Sequence, residues 1–171
     1  MKKLPSFVPA CVALLLVALF FGGCTCAPTV ADHGLVGAWR GHVQFKNGAF
    51  AEVKDLEFLY AFNAGGTMTE SSNYDGAPPV APAYGVWRKV SERTYEARYE
   101  YYWTKAPASF DDIAQGGGWI PGGRGVLVQT ITLSADGNSF DSTIKYTVLD
   151  AQGKATDPVS DASAQGVRIQ F

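Results

Sequence analysis

Aromatic side chains carry the chemistry this sequence offers most plainly. Tyr95, Tyr99, Tyr101 and Trp103 recur at even spacings along one stretch, and Phe58, Tyr60 and Trp87 stand in strand-like stretches before it. A tyrosine joins an apolar ring to a polar tip, so such a set suits a pocket for a small apolar or amphipathic molecule. The same set also suits a filled core whose hydroxyls reach solvent at the rim. The residues alone leave both readings open. Metal and acid–base chemistry have weaker candidates. His33 and His42 are the two histidines, and no histidine or cysteine is spaced to complete a metal site, so no metal is expected. Asp55 with Glu57 and Glu96 with Glu100 could in principle share acid–base work, but alternation turns both pairs toward solvent. Asp111 and Asp112, in a long loop, read the same way. No nucleophile elbow, phosphate-binding glycine loop or dinucleotide fingerprint is present, so neither a catalytic residue nor a cofactor is expected.

These residues are positioned by a run of short β patterns. Strand A covers about 37–46, with Trp39, Gly41, Val43 and Phe45 on one face. Lys46-Asn47-Gly48 turns the chain into strand B, about 52–62, where Leu56, Phe58, Tyr60 and Phe62 share a face. Asn63-Ala64-Gly65-Gly66 is a hairpin turn rich in residues that tolerate positive φ. Strand C, about 67–73, is short and polar. A loop with Pro78, Pro79 and Pro82 follows, since prolines remove backbone donors from a ladder. Strand D, about 83–90, contains Gly85-Val86-Trp87. Strand E, about 94–103, shows the cleanest alternation: Tyr95, Ala97, Tyr99, Tyr101 and Trp103 against Glu96, Arg98, Glu100 and Tyr102.

Residues 104–124 are expected to be irregular, punctuated by Gly116-Gly117-Gly118 and Gly122-Gly123, with a turn or two of helix over 108–114. A loop of this length is a candidate lid, anchored by Trp119. Strands F, G and H follow at about 125–134, 139–149 and 164–171. Antiparallel strands with mostly short connections predict an all-β chain closed into an eight-stranded up-and-down barrel, because closure removes the exposed edges. A β-sandwich is the alternative.

The chain has 171 residues, 14 Lys and Arg against 16 Asp and Glu, and a net charge of −2. That balance favours neither nucleic acid nor a polybasic membrane contact. The first residues read as a secretory leader: Lys2 and Lys3, then an apolar run from Phe7 to Phe21 broken by Pro9, then the small pair Gly22-Gly23. The run is short for a spanning helix, which needs about 20 residues. The three cysteines are Cys11, Cys24 and Cys26, so no disulfide or thiolate metal site is expected beyond residue 26. The expected organisation is a signal peptide at 1–23, a tether at 24–34 and one barrel domain at 35–171.

Phe21-Gly22-Gly23-Cys24 resembles a bacterial lipobox. The resemblance implies that Cys24 is lipidated, becomes the N-terminus and holds the protein at a membrane surface. Thr25 after it, by resemblance to Gram-negative lipoproteins, implies an outer-membrane location facing the periplasm. Ordinary cleavage nearby, giving a free periplasmic or secreted protein, is the alternative. Gly37-Ala38-Trp39 resembles the lipocalin signature on the first strand, and lipocalins carry a late-strand arginine packed across that tryptophan. Arg168 is the matching position here, which implies that Trp39 and Arg168 plug the closed end of the barrel. Residues 35–171 are similar more widely to bacterial lipocalin-like domains of uncharacterised function. The matching segments are Phe62-Asn63-Ala64-Gly65-Gly66-Thr67, Gly85-Val86-Trp87-Arg88, Arg93-Thr94-Tyr95-Glu96-Ala97, and Leu133-Ser134-Ala135-Asp136-Gly137-Asn138-Ser139-Phe140.

Three functions remain in play at this point. The first is a lipid-anchored envelope barrel that binds a small apolar or amphipathic molecule between Phe58, Tyr60, Trp87, Tyr95, Tyr99, Tyr101 and Trp103. The second is a non-catalytic envelope scaffold whose loops bind an unidentified protein. The third is a barrel enzyme, which needs an inward ionisable residue with a perturbed pKa.

Overall fold

The computed structural model describes residues 34–76, 80–114 and 120–171. The chain divides into two units, Met1–Ala31 and Asp32–Phe171, and all described residues belong to the second. The expected signal peptide, Cys24, the tether up to residue 33, Trp119 and residues 77–79 of the proline loop lie outside the described residues.

Period-two alternation is realised as strands that each bury one face. The order is β1 (Gly37–Phe45), β2 (Glu57–Phe62), β3 (Thr67–Ser72), β4 (Ala83–Lys89), β5 (Thr94–Lys105), α1 (Phe110–Ala114), β6 (Ile120–Leu133), β7 (Ser139–Asp150) and β8 (Ser160–Arg168). Every strand pairs antiparallel with its sequence neighbours, and β8 pairs with β1. The result is a closed eight-stranded up-and-down barrel. The register of closure sets Trp39 opposite Arg168 and Phe45 opposite Ala162. Closure rules out the sandwich alternative and leaves no strand edge unpaired.

The topology gives the barrel two unlike ends. The tight turns after β2, β4 and β6 share one end with residues 34–36. The longer connections after β1, β3, β5 and β7 share the other. At the first end the interior is solid. Trp39 packs on Phe140 with ring centroids 5.2 Å apart, and Tyr60 stacks on Phe62 at 5.7 Å. Trp87 meets Tyr95 at 5.8 Å.

Several element boundaries differ from those the residues suggest. The expected irregular stretch 104–124 shrinks, because β5 continues to Lys105 and β6 begins at Ile120. Gly122 and Gly123 are strand glycines, as is Gly125 just beyond. A Cβ on Gly125 would run into the Tyr101 ring, and one on Gly122 into the Trp103 ring, so glycine here makes room for an aromatic ring on the neighbouring strand. A register shift between Trp103 and Thr104 marks the bulge that accommodates them. β8 begins earlier than expected, at Ser160. Its inward residues Ser160, Ala162, Ala164 and Gly166 are small and carry little hydrophobic signal, yet all are buried. β2 starts later than expected. Residues 46–56 form a real connection, with Phe50 folded back onto Phe45 at 5.6 Å between rings.

Candidate functional site

At the end carrying the longer connections, the interior opens into a cavity of about 330 Å³. Its wall is mostly apolar and rich in aromatic rings. Phe58 comes from β2, Tyr101 and Trp103 from β5, and Tyr146 from β7, with Phe45 and Phe50 completing one side. Tyr101 and Tyr146 lie with parallel rings, and their hydroxyls are hydrogen-bonded at 2.7 Å. The Trp103 indole donates to the Leu149 carbonyl at 3.2 Å, which fixes its ring against the wall. Cavities of this size lie at the small end of the range for small-molecule pockets, about 300–1,000 Å³.

The expected pocket residues therefore divide. Phe58, Tyr101 and Trp103 line the cavity. Tyr60, Tyr95 and Tyr99 are buried in the packed half of the barrel, and Trp87 packs there against Phe62 and Tyr95. The second group fills the core, with the Tyr60 and Tyr99 hydroxyls buried instead of reaching solvent, and the first group surrounds the cavity. The outward pairs stay outward. Asp55 and Glu57 are exposed, Glu96 pairs with Arg88, and Glu100 bridges Arg98 and Arg124 at 2.9 and 2.7 Å. Asp111 is exposed.

The feature most easily missed in the sequence is Glu70. It sits on β3 opposite Tyr60, and its side chain, 6% exposed, lines the inner part of the cavity. Among the described residues no donor hydrogen-bonds its carboxyl. Burial, with the nearby Asp75 carboxylate, pushes its pKa up to about 8. At neutral pH the group is mostly a neutral acid that can still ionise. Asp75 is held differently: it accepts from the Ser72 backbone N–H at 2.6 Å and the Ser72 hydroxyl at 2.9 Å. Period-two alternation from Met68 was the signal for Glu70. Met68 is inward, so Glu70 and Ser72 share its face, but a polar strand offers little reason to apply the rule.

Beneath the cavity a chain of hydrogen bonds crosses the barrel. The Tyr99 hydroxyl donates to Gln129 Oε1 at 3.1 Å, Gln129 Nε2 donates to Ser142 Oγ at 2.8 Å, and Ser142 Oγ donates to the Ala164 carbonyl at 3.4 Å. The Tyr60 hydroxyl lies beside Tyr99 and Gln129 but, among the described residues, closes no hydrogen bond of good geometry. Burial holds the pKa of Tyr60, Tyr99 and Tyr101 well above the usual phenol value, so these groups stay neutral.

The opposite end is built around Arg168. Its guanidinium carbon stands 4.2 Å above the Trp39 ring. Its nitrogens donate to the carbonyls of Gly34, Val36 and Gly137 at 2.6, 2.6 and 3.0 Å. The Trp39 indole donates to Leu35 O at 2.9 Å. Gly37, at φ +135°, lets the guanidinium pass, since a Cβ there would meet Arg168 Nη1. This cluster packs the end of the barrel that holds residues 34–36. Fold and site together define a closed antiparallel β-barrel with Arg168 stacked on Trp39 at one end and an aromatic-lined, acid-bearing cavity at the other. No family model matches the chain, and no curated protein matches its sequence.

Proposed function

We propose that this protein is a lipocalin-like binding barrel of the bacterial cell envelope that takes up a small apolar or amphipathic molecule. The observation that carries the reading is the cavity of about 330 Å³ at the open end, walled by Phe58, Tyr101 and Trp103. Apolar walls with a few convergent polar groups are the usual form of a small-molecule site. The stacking of Arg168 on Trp39 supports the lipocalin-like part of the reading. The leader pattern and the lipobox-like Phe21-Gly22-Gly23-Cys24 support anchoring through lipid on Cys24 at the outer membrane, facing the periplasm. Native mass spectrometry of the gently purified protein tests the binding reading. A co-purifying small molecule, or saturable uptake of a neutral apolar probe, is expected. A chain that stays unliganded at high probe concentration contradicts it. Labelling cells with an alkynyl fatty acid tests the anchor; label that survives Cys24→Ala contradicts it.

One observation favours a second reading, a proton-transferring barrel enzyme. Glu70 is an inward carboxyl that exchanges its proton near neutrality. Conversion of a captured ligand that depends on Glu70 supports this reading. Recovery of the ligand unchanged after prolonged incubation contradicts it.

A further inference from the structure

We infer that the cavity selects a small apolar molecule carrying a cationic amine, with the cation held by Glu70 among the surrounding aromatic rings. The inference rests on the reading of the cavity as a small-molecule site and adds the chemical class of its ligand.

Charge is the first argument. Two acidic side chains, Glu70 and Asp75, line the cavity, and no lysine, arginine or histidine does so among the described residues. An anionic guest such as a fatty acid would find no countercharge among them. A cation meets attraction from Asp75, and from Glu70 once it is ionised. The walls are the second argument. Phe58, Tyr101, Trp103 and Tyr146 line the cavity with aromatic rings, whose quadrupoles attract a cation placed over a ring face. An apolar body and a positive head are thus accommodated by the same surfaces.

Glu70 itself is the third and decisive argument. A carboxyl on this inward face is costly relative to an apolar side chain of similar size. Its neighbours on the inward face, Met68 and Ser72, show that apolar or small residues fit on this strand. Among the described residues no cation or donor reaches the carboxyl, while the cavity brings open volume to it. A bound cation, quaternary or protonated, supplies the missing countercharge.

The same geometry makes binding pH-dependent. The titratable groups facing Glu70 are Tyr60 from β2, Tyr99 and Tyr101 from β5, and Asp75 from the connection after β3. Tyr74 and Tyr146 also line the cavity, and each is raised above the ordinary phenol value. The tyrosines stay neutral, so Glu70 is the group that changes charge between about pH 6 and pH 9. A cation favours the ionised carboxylate, so binding below the pKa releases a proton, and affinity rises with pH until Glu70 is ionised in the free protein.

The test is isothermal titration of the full protein with benzyltrimethylammonium and with its uncharged isostere neopentylbenzene. The permanent charge of the first leaves all titration to the protein. At about pH 8.5 the cation is expected to bind more than tenfold tighter than the isostere, and to weaken more than tenfold by about pH 6.5 with release of close to one proton. Glu70→Gln is expected to lose most of the preference for the cation, together with its pH dependence between about pH 6.5 and pH 8.5. If the isostere binds saturably and the cation no better, the inference fails and the small-molecule reading stands. If neither binds, both fail. A preference for the cation that survives undiminished in Glu70→Gln overturns the assignment to Glu70.

Discussion

Arg168 and Glu70 are opposite uses of a charged side chain inside one barrel. Arg168 is fully engaged, stacked on Trp39 and donating to carbonyls on either side of the closure. Removing it strips a desolvated cation–π contact and several charge-assisted hydrogen bonds. Arg168→Ala is therefore expected to destabilise the fold by about 2–4 kcal/mol in urea unfolding, with Arg168→Lys restoring only part because an ammonium lacks the planar fork. A loss below about 0.5 kcal/mol would count against the plug. Glu70 is unengaged and raised to a pKa of about 8. In the unfolded chain its carboxyl loses its proton near the ordinary glutamate value of 4.5, so between these values the folded form holds more protons. Stability contributed by Glu70 is full below about pH 4.5 and is lost as pH rises toward 8. The melting temperature of Glu70→Gln is thus expected to gain on that of the wild type from about pH 5 to pH 8 and to hold its lead above. A difference that does not vary with pH contradicts the buried, unpartnered carboxyl. Sequence reached these two residues unequally. Arg168 was found because its partner Trp39 sits in a recognisable glycine-x-tryptophan context. Glu70 was missed because one acid in the polar run Thr67–Ser72 looks like any solvated residue until closure puts its face inside.

At the scale of elements, alternation was legible wherever the inward residues were large. β1 and β5 show this: Trp39, Val43 and Phe45, and Tyr95, Tyr99, Tyr101 and Trp103, all point inward as their spacing says. Where the inward residues are small, the pattern disappears from the sequence. The inward residues of β8 are Ser160, Ala162, Ala164 and Gly166, and Gly122, Gly125 and Gly166 leave room for the rings of Trp103, Tyr101 and Phe140 on neighbouring strands. Turn chemistry and strand chemistry then look alike, which is why residues 120–124 resembled a loop. Between elements, Gln129 is the polar link that joins β5 to β7 through Tyr99 and Ser142. Gln129→Leu leaves the Tyr99 hydroxyl buried without its acceptor and is expected to cost about 1–3 kcal/mol. Adding Tyr99→Phe removes that hydroxyl, so the double variant is expected to be more stable than Gln129→Leu alone. Simple additivity of the two losses in a double-mutant cycle would contradict a coupled network.

At the scale of the molecule, the barrel is solid at one end and hollow at the other, and this asymmetry follows from closure. The tight turns after β2, β4 and β6 bring Trp39, Tyr60, Phe62 and Phe140 together into one packed mass. At the far end, the described residues leave a cavity between the strands. Closure as a barrel was legible from strand number and spacing. Which end is hollow followed from the pairing register, because it depends on how far each ring reaches across to its neighbours. The central claim is that this hollow is a ligand site. Ala83 lines it and is itself buried, so Ala83→Phe fills the cavity from within while leaving Glu70 and the Arg168 plug in place. The most direct measurement is fluorescence titration of a neutral solvatochromic probe into the wild type and Ala83→Phe, with unfolding curves confirming that both are folded. The account predicts saturable, one-to-one binding to the wild type and at least a tenfold loss in the filled variant. Equal binding by both folded proteins would place the probe elsewhere and contradict the account.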